Sequence, residues 1–435
     1  MTTTLIKTAQ IVSMDPSIGD LTTGDILIRD GAIERIAPVI DSPGAEIIDA
    51  AGMIALPGII DAHNCVWQTI LRGAIPNLWT NTYFSYFLGL RERFRAEDLE
   101  ASELIGGLEM LSYGVTTVVD YCHCLRAPGH AEAALRGIGE SGIRHLFTYS
   151  LKLEAGEDFP SDAAKRADAE RIHARFHDPA GLTTIGFGIR SPGEPGIVED
   201  FAFARSFGAH NCIHINPALG ITELARQKLL GGDTLAIHGN LITNDELALM
   251  AEVGMAIGFT PSADVQGTPA DIVRRAMIRG VPVLFGCDVP CHVASDTLMQ
   301  LRIMFNVQGY LDGAMERSFA SVPTRRPPMR DAMPLLLPRE LLRIATIGTA
   351  QFLGMADRIG SLTPGKRADV LLVRKGDFGD SVESDACAHV LLQTSPRDID
   401  TVMVDGRVRV RQGRLVDFDR ARVDGLVQQA RAHLV

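Results

Sequence analysis

Between Pro57 and Pro364 the chain repeats one pattern eight times: a short apolar run rich in β-branched residues, followed by a longer stretch. The runs are "GIIDAH", "VTTVVDY", "IRHLFTYS", "TTIGFGI", "NCIHI", "TLAIHG", "GMAIGFT" and "VPVLFGCD". Among the stretches between them, "AEDLEASELIGGLEMLSYG", "TNDELALMAEVG" and "ADIVRRAMIRG" are amphipathic at helical period and end at glycine, a common residue just past a helix C-terminus. Strands alternating with helices predict a parallel sheet. Eight such units fit an α/β fold, a (β/α)8 barrel, which places functional residues at the C-terminal ends of its strands.

The two ends of the chain read differently. "TLIKTAQIVSM", "GDILIRDGAIERIAPV" and "AEIIDAAGMIAL" at the start, and "KRADVLLVRKGD" and "DIDTVMVDGRVRVRQGRLV" at the end, are short strands broken by the turn signals "RDG" and "VDG". They are expected to pair into one small β-sandwich built from both termini. The organisation expected is therefore residues 1–56 as the first part of the sandwich, 57–364 as the barrel, and 365–435 as the second part with a terminal helix over "VDGLVQQARAHLV". A length of 435 residues accommodates this plan.

Composition narrows the partners. With 46% hydrophobic residues, 22% charged residues and a net charge of -11, the chain has the make-up of a globular protein. It lacks the Lys/Arg stripe that phosphate backbones require, so nucleic acid is not expected. No basic start with an apolar h-region and no run of 18 apolar residues occurs, so no membrane span is expected and the cytoplasm is the default location. Seven cysteines without a disulfide-type spacing point to reduced thiols. Six of them, Cys65, Cys122, Cys124, Cys212, Cys287 and Cys291, stand beside His or Asp residues. They are either small packing residues or the lining of a pocket for a soft metal or a nucleophile.

His63, His123, His214, His238 and Asp288 recur at the ends of five of the expected strands. Five such groups at matching positions are hard to explain as packing, because each puts a polar side chain at a buried barrel mouth. On the first strand His63 is followed two positions later by Cys65, and side chains two apart on a strand point the same way, so one strand can offer two metal ligands. Trp67, Gln68, Trp79 and Tyr83 belong to an aromatic segment after that strand that suits a pocket wall or lid for a planar ligand. Asp264, in "TPSADVQG", is a further candidate for contact with substrate. The segment "VPTRRPPMRDAMPLLLP" reads as a long loop over the same face.

The runs "LPGIIDAH", "YGVTTVVD", "CIHI", "IHGNLITNDELALMAEVG" and "VPVLFGCDV", and above all "ATIGTAQFLGMADRIGSLTPGKRADVLLV", resemble the amidohydrolase superfamily in its cytosine deaminase and chlorohydrolase-like branch. That branch includes guanine and S-adenosylhomocysteine deaminases and s-triazine hydrolases. The resemblance implies a barrel enzyme with one divalent ion, zinc or iron. The ion's ligands would be His63, the residue at 65, His214 and Asp288, with His238 close by. It also implies hydrolysis of a C–N or related bond of a small cyclic or aromatic molecule, and a homo-oligomer.

Two residues leave the family pattern. Position 65 is Cys where the family has the second His of a His-x-His pair, and position 217 is Pro where deaminases of the branch carry a proton-shuttling Glu. A thiolate can replace imidazole on zinc, yet its charge lowers the ion's Lewis acidity. Proline cannot move a proton, which shifts that role to His123, His238 or Asp264, with Asp288 taking the proton of the water. Two alternatives stay open: a metal-free acid/base enzyme (lyase, hydratase or cyclase) on the same scaffold, and a relative that only binds its ligand.

Overall fold

The computed structural model describes residues 2–74, 83, 88–215, 218–266, 271–319, 336–376 and 385–435. Five strands open the chain: β1 (Thr3–Val12), β2 (Asp20–Arg29), β3 (Ala32–Ala37), β4 (Glu46–Asp49) and β5 (Met53–Pro57). Each of the eight expected central runs then forms a strand: β6 (Ile59–Asn64), β7 (Val115–Cys122), β8 (Arg144–Ser150), β9 (Thr183–Ile189), β10 (Asn211–Ile215), β11 (Thr234–His238), β12 (Ala256–Phe259) and β13 (Val283–Phe285). β14 (Val370–Arg374), β15 (Ile399–Val404), β16 (Arg407–Arg411) and β17 (Arg414–Leu415) follow, before a terminal helix over Arg420–Leu434.

Strands from both termini make one mixed sheet. β5 is the junction, parallel to β1 and antiparallel to β14. Both turn signals become two-residue hairpins, with Asp30 and Gly31 at φ +48° and +80° and Asp405 and Gly406 at φ +54° and +77°. Consecutive left-handed residues give the turn whose twist matches that of a hairpin, which is why Asp-Gly stands at both places.

β6 to β13 are parallel neighbours in sequence order. The last returns to the first at the mouth, where the Cys65 amide donates to the Asp288 carbonyl at 2.7 Å and the Asp288 amide to the His63 carbonyl at 2.9 Å. Gly286 permits this closure, because a Cβ there would lie 2.3 Å from the His63 carbonyl oxygen. The buried Asp61 carboxylate ties the same seam, accepting from the Cys287 amide at 3.2 Å, the Thr297 hydroxyl at 2.9 Å and the His63 amide at 3.1 Å. Closure therefore brings Asp288 to His63 and Cys65, from which more than two hundred residues separate it in sequence.

The barrel is fixed to the terminal sheet by a buried ion pair. Arg144, at the start of β8, bonds Asp369 at 3.0 Å and Asp405 at 3.3 Å. Around the strands, Thr243 and Glu246 form a reciprocal cap on the helix Asn244–Val253, which stops at Gly254 with φ +74°. Among the described residues no helix is long and apolar enough to cross a membrane. The Pro- and Arg-rich segment 322–338, apart from its last three residues, lies outside the described residues, as do Trp79 and most of the aromatic stretch 80–90.

Candidate active site

His63, Cys65 and Asp288 each present a donor atom to one point: the three atoms lie within 4.8 Å of one another, and all three residues are buried. His63 Nε2 is 3.3 Å from Asp288 Oδ1, yet neither ring nitrogen of this fully buried histidine has a hydrogen-bond partner. The Cys65 thiol donates to Asp288 Oδ1 at 3.7 Å. Burial, then the charges of Asp288, Asp120 and Cys291, push that thiol well above its ordinary value, so it keeps its proton unless a cation displaces it.

His214 and His238 complete the constellation from adjacent strands, β10 and β11. Their ring centroids are 5.3 Å apart, and that of His214 is 5.2 Å from His63's. Burial, then the neighbouring His63 and His238, pushes His214 well down, leaving a neutral imidazole able to accept. Burial also disfavours charge on Asp288, but His63, His238 and His214 around it hold its carboxyl well below the usual range.

His238 stands between two carboxylates. Its Nδ1 lies 3.0 Å from Asp264 Oδ1 and its Nε2 4.0 Å from Asp288 Oδ2. Burial opposes its charge, but Asp264 and then Asp288 outweigh burial and raise it to about 9. Asp264 is held in turn by the Thr260 amide at 2.7 Å, the Thr260 hydroxyl at 3.0 Å and the Asn240 amide at 2.9 Å. His238 and Asp288 both sit at left-handed φ, +69° and +63°. Backbone strain of this kind on bulky residues clusters at working sites.

The other candidates line the same region. His123 is buried, and burial and then Arg91 push it down to about 3, so it is a neutral imidazole. Its ring meets Trp67 edge-on at 5.1 Å. Trp67 is fully buried and packs on Phe94. Gln68 is also fully buried, its amide donating to the Tyr83 hydroxyl at 2.9 Å and accepting from the Cys291 thiol at 3.3 Å. All seven cysteines are buried and unpaired. Asn216 and Pro217, where the shuttling Glu is missing, lie outside the described residues.

Sequence reasoning missed Tyr121, whose ring lies 4.6 Å from His214's and 5.6 Å from those of His63 and His123. Its place two residues before His123 on β7 was the available signal. Arg91 was missed as well. Its Nη1 donates to the His123 carbonyl at 3.3 Å, and nothing in the local sequence marks it.

Fold and site together describe a barrel with its cluster of candidate site residues at the C-terminal mouth. A model of the amidohydrolase family matches residues 54–409, and the chain belongs to that family. It is an enzyme of the hydrolase class acting on carbon–nitrogen bonds other than peptide bonds. The chain is 26% identical over 439 residues to a 5-methylthioadenosine/S-adenosylhomocysteine deaminase of Symbiobacterium thermophilum, covering 95% of this chain and 94% of the relative. It is 23% identical over 453 residues to a 5'-deoxyadenosine deaminase of Methanosarcina mazei, covering 99% and 98%. Among solved structures, an atrazine chlorohydrolase mutant of Arthrobacter aurescens complexed with zinc and atraton superposes with TM-score 0.84 at 21% identity, covering 98% and 99% of the two chains. A zinc-bound adenosine deaminase of Xanthomonas campestris superposes with TM-score 0.83 at 19% identity, covering 99% and 98%.

Proposed function

We propose that this chain hydrolyses a carbon–nitrogen bond of a small cyclic molecule at a single divalent ion held by His63, Cys65 and Asp288, with His214 as the remaining ligand. The observation that carries the reading is the trio of buried donors, in which a partnerless imidazole faces a carboxylate and a thiol. A buried imidazole without a hydrogen bond costs stability unless something binds it. His/Cys/Asp is a donor set that zinc accepts. When bound, the ion supplies the Lewis acidity that makes water a nucleophile near neutral pH.

The protein's own groups do the rest. Asp288, ionised and turned to the same point, takes the proton from the attacking water. His238, held by Asp264 on one side, presents Nε2 on the other, where it stabilises developing negative charge and hands a proton to the leaving nitrogen. This gives His238 the transfer that a Glu at position 217 performs in the family. Fully buried Trp67 and Gln68 keep water out beneath the site.

Metal analysis of gently purified protein is expected to give about one equivalent of zinc or iron per chain, with ammonia or another leaving group released from aminated N-heterocycles. Absence of metal, with no activity gained on adding it, would overturn the reading. A metal-free acid/base reaction is the second reading, favoured by His238 standing between the carboxylates of Asp264 and Asp288. In that case chelators leave turnover untouched while Asp288→Asn abolishes it.

A further inference from the structure

Four cations stand on the segments that follow β6, β7 and β8: Arg91, Arg126, Lys152 and Lys165. Two are neutralised. Lys152 lies 3.0 Å from Glu194 and 3.3 Å from Glu154, and the buried Lys165 pairs with Glu157. Among the described residues, no carboxylate lies within ion-pair distance of Arg91 or Arg126. In a chain of net charge -11, two guanidinium groups left without acids at the edge of an active site call for an explanation.

Arg126 follows His123 by three residues and is 7% exposed. Its Nη2 donates to the Gly156 carbonyl at 2.8 Å, while its buried Nη1 has no partner. Arg91 reaches the His123 carbonyl at 3.3 Å and the His123 ring at 3.4 Å, and its Nε is buried without a partner. The Cys124 thiol donates to the Arg91 backbone carbonyl at 3.8 Å and feels both positive charges. A buried cation without a counterion is strongly disfavoured unless an anion arrives to complete it. Guanidinium is the group that grips planar or tetrahedral oxyanions through paired N–H donors.

We infer that Arg91 and Arg126 form an anion subsite beside His123, so the substrate carries a carboxylate or phosphate in addition to the bond that is broken. This rests on the proposed hydrolytic site only for the identity of the reacting bond, since the subsite itself stands on the unpaired arginines. The site as a whole then separates two charges: a metal-binding end at His63, Cys65 and Asp288, and an anion-binding end across the rings of Tyr121 and His123. Neutral nucleobases or triazines would leave the second end empty.

The test is calorimetric binding to the metal-loaded protein of matched probes. 6-Aminonicotinate against 2-aminopyridine reads carboxylate, and adenosine 5'-monophosphate against adenosine reads phosphate. In at least one pair the anionic member is expected to bind about tenfold or more tightly than the neutral one. The preference should shrink with added salt and fall to near parity in both Arg91→Gln and Arg126→Met, with metal content unchanged. If Arg126→Met does not fold, Arg91→Gln alone decides. Equal binding within both pairs, no binding by any probe, or a preference that survives the substitutions would overturn the inference. A protein that shows the anion preference but neither binds metal nor hydrolyses anything would overturn the proposed function alone.

Discussion

At the scale of single residues, position 65 decides most. A thiolate on the ion weakens its Lewis acidity, so Cys65→His is expected to keep the metal and raise hydrolytic turnover near neutral pH by about tenfold or more, one pKa unit on the attacking water being a factor of ten. Ammonia release from an aminated heterocycle measures it, and a variant slower than wild type would count against Cys65 as a ligand. A second residue pair carries a pH signature. Glu103 and Asp120 are both fully buried, and the Val66 amide donates to Asp120 at 3.2 Å. Burial raises both, taking Asp120 to about 7. A carboxyl whose folded value is raised contributes most below its unfolded value, and that stability is lost as pH climbs through the folded one. Glu103→Gln should therefore gain on wild type, by on the order of 1–3 kcal/mol, as pH rises from about 5 to about 7.5. Thermal denaturation at both pH values checks this, and an equal shift at the two would refute it. The metal-binding candidates were legible because each sits at the end of an apolar run. Arg91 and Arg126 were not, since a missing counterion is a property of the packed loops and leaves no mark on the sequence.

At the scale of elements, the closure between β6 and β13 assembles the site. Every strand of the barrel could be read from the alternation of apolar runs and helical segments, and the Asp-Gly hairpins from their turn residues. What could not be read is that Asp61 and Gly286 serve the closure, because both meet partners from the far end of the chain. Gly286→Ala puts a methyl against the His63 carbonyl. It should cost about 1–3 kcal/mol and lower metal affinity together with the melting temperature. A variant of wild-type stability and full metal content would show that the seam is looser than described. Tyr121 lies between these cases: period-two spacing places it on the same face as His123, but only closure brings its ring to His214.

At the scale of the whole molecule, the terminal sheet and the barrel are joined through Arg144, buried between Asp369 and Asp405. Asp369→Ala leaves that guanidinium with only Asp405 and the Gly181 carbonyl, so it should cost about 3–5 kcal/mol. Unfolding should remain a single transition rather than splitting into sheet and barrel steps. Two separated calorimetric transitions in the wild type would contradict the coupling. The plan of a barrel flanked by strands from both termini was legible from the ends' shared style of short strands and turns. The seam was not, because Arg144 looks like any charged residue at the start of a strand.

The claim on which function turns is that Cys65 is a metal ligand, and loading the purified protein with cobalt(II) tests it most directly. Thiolate ligation gives an intense near-ultraviolet sulfur-to-cobalt charge-transfer band. The account predicts that band at about one cobalt per chain, lost in Cys65→Ser. Cobalt bound without the band, a band that survives Cys65→Ser, or no stoichiometric binding at all would contradict it.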